Sequence, residues 1–265
     1  MNHWTQGDSN TGEINIHYYR TGRGDLPPLV LCHGFSDNGL CWTRVAKALE
    51  SEFDIIMMDA RNHGLSGRGK VSLQKMVDDL ASLIGALDLH QPALLGHSMG
   101  ASMVADLAAR YPALASRILL EDPPWTKYDG VVREQEAEQR RAGFRQYLAS
   151  LVSMTQDQII EFGKRQNPTW HELEMPAWAA SKQQVSELAM EGLILGRWTE
   201  TVAQIKCPAW LIYADGEHDG IVKHDIAHQV VSINSRFMLR HIDNAGHNIR
   251  REQFAAYISA VKAAL

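Results

Sequence analysis

Four short apolar runs alternate with stretches of helical spacing in the first 120 residues, and that rhythm narrows the folds open to the chain. The runs are residues 29–32, 53–58, 93–95 and 117–120. They are nearly continuous rather than alternating, which is how strands buried on both faces read. Between them, 42–50, 71–89 and 99–111 carry helical periodicity. In 71–89 it runs through Leu73, Met76, Leu80, Leu83, Ile84 and Leu87. Strands alternating with helices form a parallel sheet with right-handed crossovers and helices on both faces. An alternating, β-rich segment at 13–20 precedes them.

The rhythm then breaks. From 123 to about 202 there is no convincing buried strand, but Gln- and Glu-rich helical stretches at 131–151 and 156–165. Strands resume at 209–213 and 237–242, and an amphipathic helix at 253–265 closes the chain. Neither flanking piece supplies a complete sheet alone. The expected organisation is an α/β core from 1–122 and 203–265, with a helical insertion, 123–202, after the sixth strand.

A chain of 265 residues fits this: one large domain, or one domain with an insertion. With 26 Lys and Arg against 31 Asp and Glu, the net charge is −5. That argues against a nucleic-acid surface or a polybasic membrane patch. Cys32, Cys41 and Cys207 are scattered, with no metal-ligand spacing, so no structural metal is expected. Free thiols fit a reducing compartment. The first 20 residues hold no apolar run of signal-peptide length, and no stretch approaches the ~18 apolar residues of a membrane span. A soluble cytoplasmic protein is expected.

The chemistry-bearing segment is Gly96-His97-Ser98-Met99-Gly100, between a strand and a helix. A Ser at such a sharp turn is strained, and side chains two residues either side would clash, so glycine is needed there. The following helix start offers N–H groups to a developing oxyanion. Such a Ser needs a base, and the base an orienting acid. His247, in Asn244-Ala245-Gly246-His247-Asn248 after the last strand, belongs to the same sheet edge as Ser98. Acids at that edge are Asp215, Glu217 and Asp219 after the strand at 209–213, and the pair Glu121 and Asp122 before the insertion.

Four motifs together resemble the α/β-hydrolase superfamily, of the capped esterase, lactonase and C–C hydrolase kind. They are His33-Gly34-Phe35, the segment from Asp59 to Ser66 (with Asn62 where glycine is usual), the Ser98 turn, and Ala245-Gly246-His247. The resemblance implies a Ser98–Asp219–His247 triad, Asp219 being fourth in Gly216-Glu217-His218-Asp219. Asp215 and the 121–122 pair stay as alternatives. It implies an oxyanion hole from the backbone N–H groups of Phe35 and Met99. His33, Asp59, Arg61 and His63 are expected to be structural, and Asp37 and Asn38 to be turn or cap residues. The insertion becomes a cap over Ser98, with Trp42, Trp125 and Trp178 as pocket candidates for an apolar or aromatic substrate. No Arg or Lys cluster marks a strongly anionic one. Ser rather than Asp or Cys at the turn points to acyl chemistry on a small ester or lactone, without metal or cofactor. C–C or amide hydrolysis on the same triad is the alternative, and a non-catalytic receptor a more distant one. A monomer or homodimer is expected.

Overall fold

The computed structural model describes residues 4–129, 134–191 and 197–265. The first half builds strands β1 (Thr5–Asn10), β2 (Asn15–Arg20) and β3 (Pro28–Cys32), helix α1 (Thr43–Leu49), β4 (Asp54–Met58) and α2 (Leu73–Ala86). Then come β5 (Ala93–His97), α3 (Met99–Arg110) and β6 (Arg117–Glu121). Helices α4 (Glu134–Val152), α5 (Gln156–Gln166), α6 (Met175–Gln184) and α7 (Trp198–Gln204) follow. The chain closes with β7 (Ala209–Ala214), α8 (His224–Ile233), β8 (Phe237–Ile242), α9 (Ile249–Glu252) and α10 (Phe254–Ala264). The expected helix at 131–151 is α4; its first three positions, 131–133, lie outside the described residues.

All eight strands join one sheet in the order β1-β2-β4-β3-β5-β6-β7-β8. β1 and β2 are antiparallel at one edge, and β4, β3, β5, β6, β7 and β8 pair in parallel. The register keeps the strand ends level: Cys32 lies beside Met58 and Gly96, His97 beside Glu121, and Glu121 beside Ile212. Residues that follow these strands therefore gather along one edge.

Side-chain alternation splits each buried strand between two apolar layers. Val30, Cys32, Ile56, Leu94, Leu120 and Leu211 face α2, α3 and α8. Leu29, Leu31, Ile55, Met57, Leu95 and Leu119 face α1 and α10. Ser72 caps α2, accepting from the Lys75 N–H, and the helix buries Met76, Leu80 and Leu83. Each such side chain contributes roughly 1.5–3 kcal/mol.

The insertion is held by a smaller cluster of Leu151, Ile159, Trp178 and Ala179, which meets the core at Cys41. A capping box between Thr155 and Gln158 starts α5. On α5, Gly163 lies directly under the Trp178 ring of α6. Trp198 and Val202 of α7 return to the main core, where Trp125 stacks on Trp198 at 5.7 Å. Among the described residues, no helix is long and apolar enough to cross a membrane.

Candidate active site

Ser98 ends the turn from β5 into α3 at φ 52°, ψ −114°, a strained conformation for a residue with a side chain. A methyl group on Gly96 would collide with the Gly100 carbonyl, and one on Gly100 with the Cys32 carbonyl. Both flanking glycines are therefore required by backbone approach. The Ser98 N–H donates to the Glu121 carbonyl at 2.9 Å, which pins the turn to the next strand. Met99 opens α3, so its N–H has no partner within the helix. The loop after β3 abuts the same turn: a Cβ on Gly34 would lie 2.5 Å from His97 Nδ1 and 3.4 Å from Ser98 Cβ. Phe35 is the next residue.

His247 Nδ1 lies 2.7 Å from Oδ2 of Asp122, which is fully buried. The carboxylate also accepts the backbone N–H groups of Ile221 and Val222, each at 2.9 Å. β6 and β7 are adjacent, so the end of one lies beside the loop leaving the other. Three hydrogen-bond partners on one carboxylate fix its position. A carboxylate only accepts, so Nδ1 of His247 carries the proton and Nε2 is the basic position. His97 Nε2–H donates to the His247 carbonyl at 2.9 Å and steadies the same loop.

The neighbouring carboxylate, Glu121, ends β6, whereas Asp122 has left the strand at φ 40°, and the two carboxylates take different partners. Glu121 accepts from the backbone N–H of Arg250 at 3.0 Å and pairs with the Arg250 guanidinium at 3.3 Å. Burial pushes its carboxyl up, against the pull of Arg250.

His33 and His63 pin the loop that carries Phe35. His33 Nδ1–H donates to the Gly34 carbonyl and Nε2 accepts from the Ala60 N–H. His63 Nδ1–H donates to the Arg61 carbonyl and Nε2 accepts from the Ser36 N–H. Burial lowers both, His63 to about 3, so both are neutral at pH 7. Burial also holds His97 well below its ordinary value. Asp59 accepts the N–H groups of Gly39 and Leu65, and Arg61 makes a buried pair with Asp79 at 2.6 Å. The expected structural roles match these contacts.

Ser98 and His247 face one cavity of about 310 Å³. Phe35, Tyr147, Trp170 and Trp178 form an aromatic wall; Asp37, Lys182 and Arg251 add a polar one. Asp37 meets Lys182 at 3.2 Å, Arg250 at 3.0 Å and Arg251 at 2.8 Å. Burial alone raises the Asp37 carboxyl, but Arg251, Lys182 and Arg250 outweigh it and hold the group well below the usual range. Arg251 also lies 3.5 Å from Glu174. The three cations thus sit among the three carboxylates Asp37, Glu121 and Glu174. A larger depression of about 510 Å³ lies along α5, lined by Asp157, Glu161, Phe162 and Arg165, and is unrelated to Ser98.

A model of the "Alpha/beta hydrolase family" matches residues 29–260, most of the chain. The chain belongs to that family. N-formylmaleamate deformylase of Pseudomonas putida is 34% identical over 121 residues, 44% of this chain and 45% of that protein. Across the curated relatives the match spans 31–45% of their length. The crystal structure of E-2-(acetamidomethylene)succinate hydrolase superposes with a TM-score of 0.82 at 18% identity, covering 99% of each chain. That of an N-formylmaleamic acid deformylase from Pseudomonas putida S16 gives 0.76 at 24% identity, covering 98% of this chain and 99% of that one. These likenesses establish the hydrolase fold.

Within this alpha/beta hydrolase, three sequence expectations are corrected. Asp219 does not reach His247: it is exposed, in a left-handed conformation at φ 68°, at the end of the turn after β7. Asp215 is tied to the Asn244 N–H and to His241, and Asp122 is the carboxylate at His247. Trp42 is fully buried beneath Arg250, and Trp125 packs in the core on Trp198, so of the three tryptophans only Trp178 lines the cavity. Asn38 caps the turn at Cys41 and the Asp37 N–H closes the turn from Gly34, as expected, but Asp37 is also the hub of an ion cluster. Its cations Lys182, Arg250 and Arg251 come from distant segments, so no local run of basic residues announced them.

Among the described residues, Asp215, His241 and Asp243 form the only His/carboxylate group close enough to hold a metal ion. Nε2 of His241 faces Asp215 at 2.9 Å and Nδ1 faces Asp243 at 3.0 Å. One ion on either nitrogen would leave the other carboxylate across the ring. The donor set fits a tie between the end of β7 and the segment after β8 better than a metal centre.

Proposed function

We propose that the chain is a serine hydrolase of small carboxylic esters or lactones, working through an acyl-enzyme with Ser98, His247 and Asp122. The observation that carries this is the Asp122–His247 contact at the edge where the strained Ser98 turn faces the same cavity. His247 Nε2 takes the Ser98 proton as Oγ attacks the substrate carbonyl. The Phe35 and Met99 N–H groups receive the oxyanion, donors worth roughly 3–4 kcal/mol each at the transition state. Collapse of the tetrahedral intermediate passes that proton to the leaving group. Water, deprotonated by His247, then releases the acid.

A cavity of about 310 Å³ favours a small substrate, and its aromatic wall an apolar or aromatic acyl group. Amide cleavage is the second reading, favoured by the 34% identity with a protein named N-formylmaleamate deformylase. Three buried, unpaired thiols support a reducing, cytoplasmic setting.

A fluorophosphonate probe tests the reading. It labels the wild type and leaves Ser98→Ala unlabelled; an unlabelled wild type refutes the hydrolase. Turnover of p-nitrophenyl acetate and of N-formyl amides then separates ester from amide preference. Turnover of a ring-cleavage dienoate instead of either identifies a C–C hydrolase.

A further inference from the structure

Lys182 belongs to α6 in the insertion, yet among the described residues every acceptor of its ammonium lies on the loop after β3. Nζ donates to the Ser36 carbonyl at 2.8 Å, to Ser36 Oγ at 3.0 Å and to Asp37 Oδ1 at 3.2 Å. An ammonium has three hydrogens, and these acceptors use all three. They lie one and two residues beyond Phe35.

Ser36 lies inside a turn closed by the Asp37 N–H on the Gly34 carbonyl at 3.1 Å. It stands at φ 62°, a strained left-handed conformation for a residue with a side chain. Its backbone is gripped on both sides: the N–H by neutral His63 and the carbonyl by Lys182. The Gly34–Phe35 peptide, whose N–H is the proposed oxyanion donor, is held at its carbonyl by His33 Nδ1–H and by the N–H of Asp37, which Lys182 also holds. Freeing Ser36 and Asp37 loosens this turn, and with it the orientation of the Phe35 N–H toward Ser98.

Burying a lysine for packing alone is costly. Its side chain is 4% exposed, and desolvating an ammonium costs several kcal/mol before its partners are counted. A methionine would fill similar space without that cost.

We infer that Lys182 is a positioning residue that holds the Phe35 N–H in the oxyanion hole and couples docking of the insertion to assembly of the hole. The inference rests on the serine-hydrolase reading of Ser98. Withdrawal of α6 from the core removes the clamp, so the hole is complete only when the insertion is seated. Asn38–Gln184 and Ser186–Asn62 hydrogen bonds join the same two surfaces without touching the Ser36 backbone.

Lys182→Met and Lys182→Arg are compared with wild type after thermal unfolding confirms folded protein. Turnover uses p-nitrophenyl acetate, and phenylboronic acid reports the hole. Ser98 Oγ bonds to boron, its proton passes to His247, and the tetrahedral boron anion places an oxygen in the hole. For Lys182→Met, kcat falls about tenfold to a hundredfold, KM stays within about threefold, and boronate affinity falls by the factor lost in kcat. Lys182→Arg recovers part of both. A raised KM with unchanged kcat, or a lowered kcat with unchanged boronate affinity, overturns the inference. Should Lys182→Met not fold, Lys182→Gln gives the same readings. A wild type that neither turns over nor labels at Ser98 refutes the hydrolase reading itself, which separates that failure from this one.

Discussion

Asp122 holds His247 from a position that no local pattern marks. Its carboxylate is fixed by two N–H groups about a hundred residues away in the chain, and by the imidazole a little further on. Asp122→Asn leaves the shape intact but presents an N–H to Nδ1, which stabilises the wrong tautomer. We expect kcat/KM for p-nitrophenyl acetate to fall about a thousandfold to ten-thousandfold. Asp219→Asn should stay within about threefold, since Asp219 is exposed and outside the hydrogen bonds at His247. Equal losses would disprove the assignment. The sequence pattern made Ser98 legible, because the glycines it needs are neighbours in the chain. It left the acid open, because the ends of β6 and β7 are adjacent in space and either can supply a carboxylate. Between Glu121 and Asp122 the choice depends on where the backbone leaves β6: Glu121 is the last residue paired with β7, and Asp122 turns out of the strand at φ 40°, which no local pattern announces.

Two glycines in adjacent helices of the insertion have opposite consequences. Gly143 lies within α4, and a Cβ there meets no atom within 4 Å. Gly143→Ala lowers the entropy of the unfolded chain and raises helix propensity, so it should stabilise by about 0.5–1 kcal/mol. Gly163 lies within α5, where a Cβ would enter the Trp178 ring. Gly163→Ala forces α5 and α6 apart, with an expected cost of about 1–3 kcal/mol. Because Trp178 lines the cavity, KM should rise with it. Urea unfolding of both variants checks the signs; stabilisation by Gly163→Ala would show that α6 is free to shift. At this scale the sequence read well where periodicity was strong, as in α2, and the core strands stood out as apolar runs. The tryptophans were harder. A large aromatic near the oxyanion loop fills core or pocket according to the tilt of its backbone, so Trp42 is buried under Arg250 while Trp178 meets the cavity.

Across the whole molecule, buried neutral histidines tie stability to pH. His63 is 2% exposed and lowered to about 3, chiefly by burial, against an ordinary value near 6.5. Burial lowers His33 and His97 as well. Above pH 6.5 neither folded nor unfolded chain protonates His63, and its contribution is fully present. As pH falls below 6.5 the unfolded chain takes up a proton that the folded chain refuses, so stability is lost down to about pH 3. One such group gives a slope of up to about 1.4 kcal/mol per pH unit. His63→Gln removes the linked proton while keeping a side-chain oxygen to accept from Ser36. The variant should be less stable than wild type at pH 7.5, since its fit is poorer, and the gap should narrow as pH falls to 5. Urea titrations at pH 7.5, 6 and 5 measure it. Parallel curves would mean that His63 takes up its proton in the folded state, and that the loop carrying Phe35 opens to water more readily than its packing implies. Converging curves would place the acid limit of the fold in the histidines that build the oxyanion loop, so that the site's rigidity and its sensitivity to acid share one cause: imidazoles held neutral by burial while they accept hydrogen bonds from the backbone.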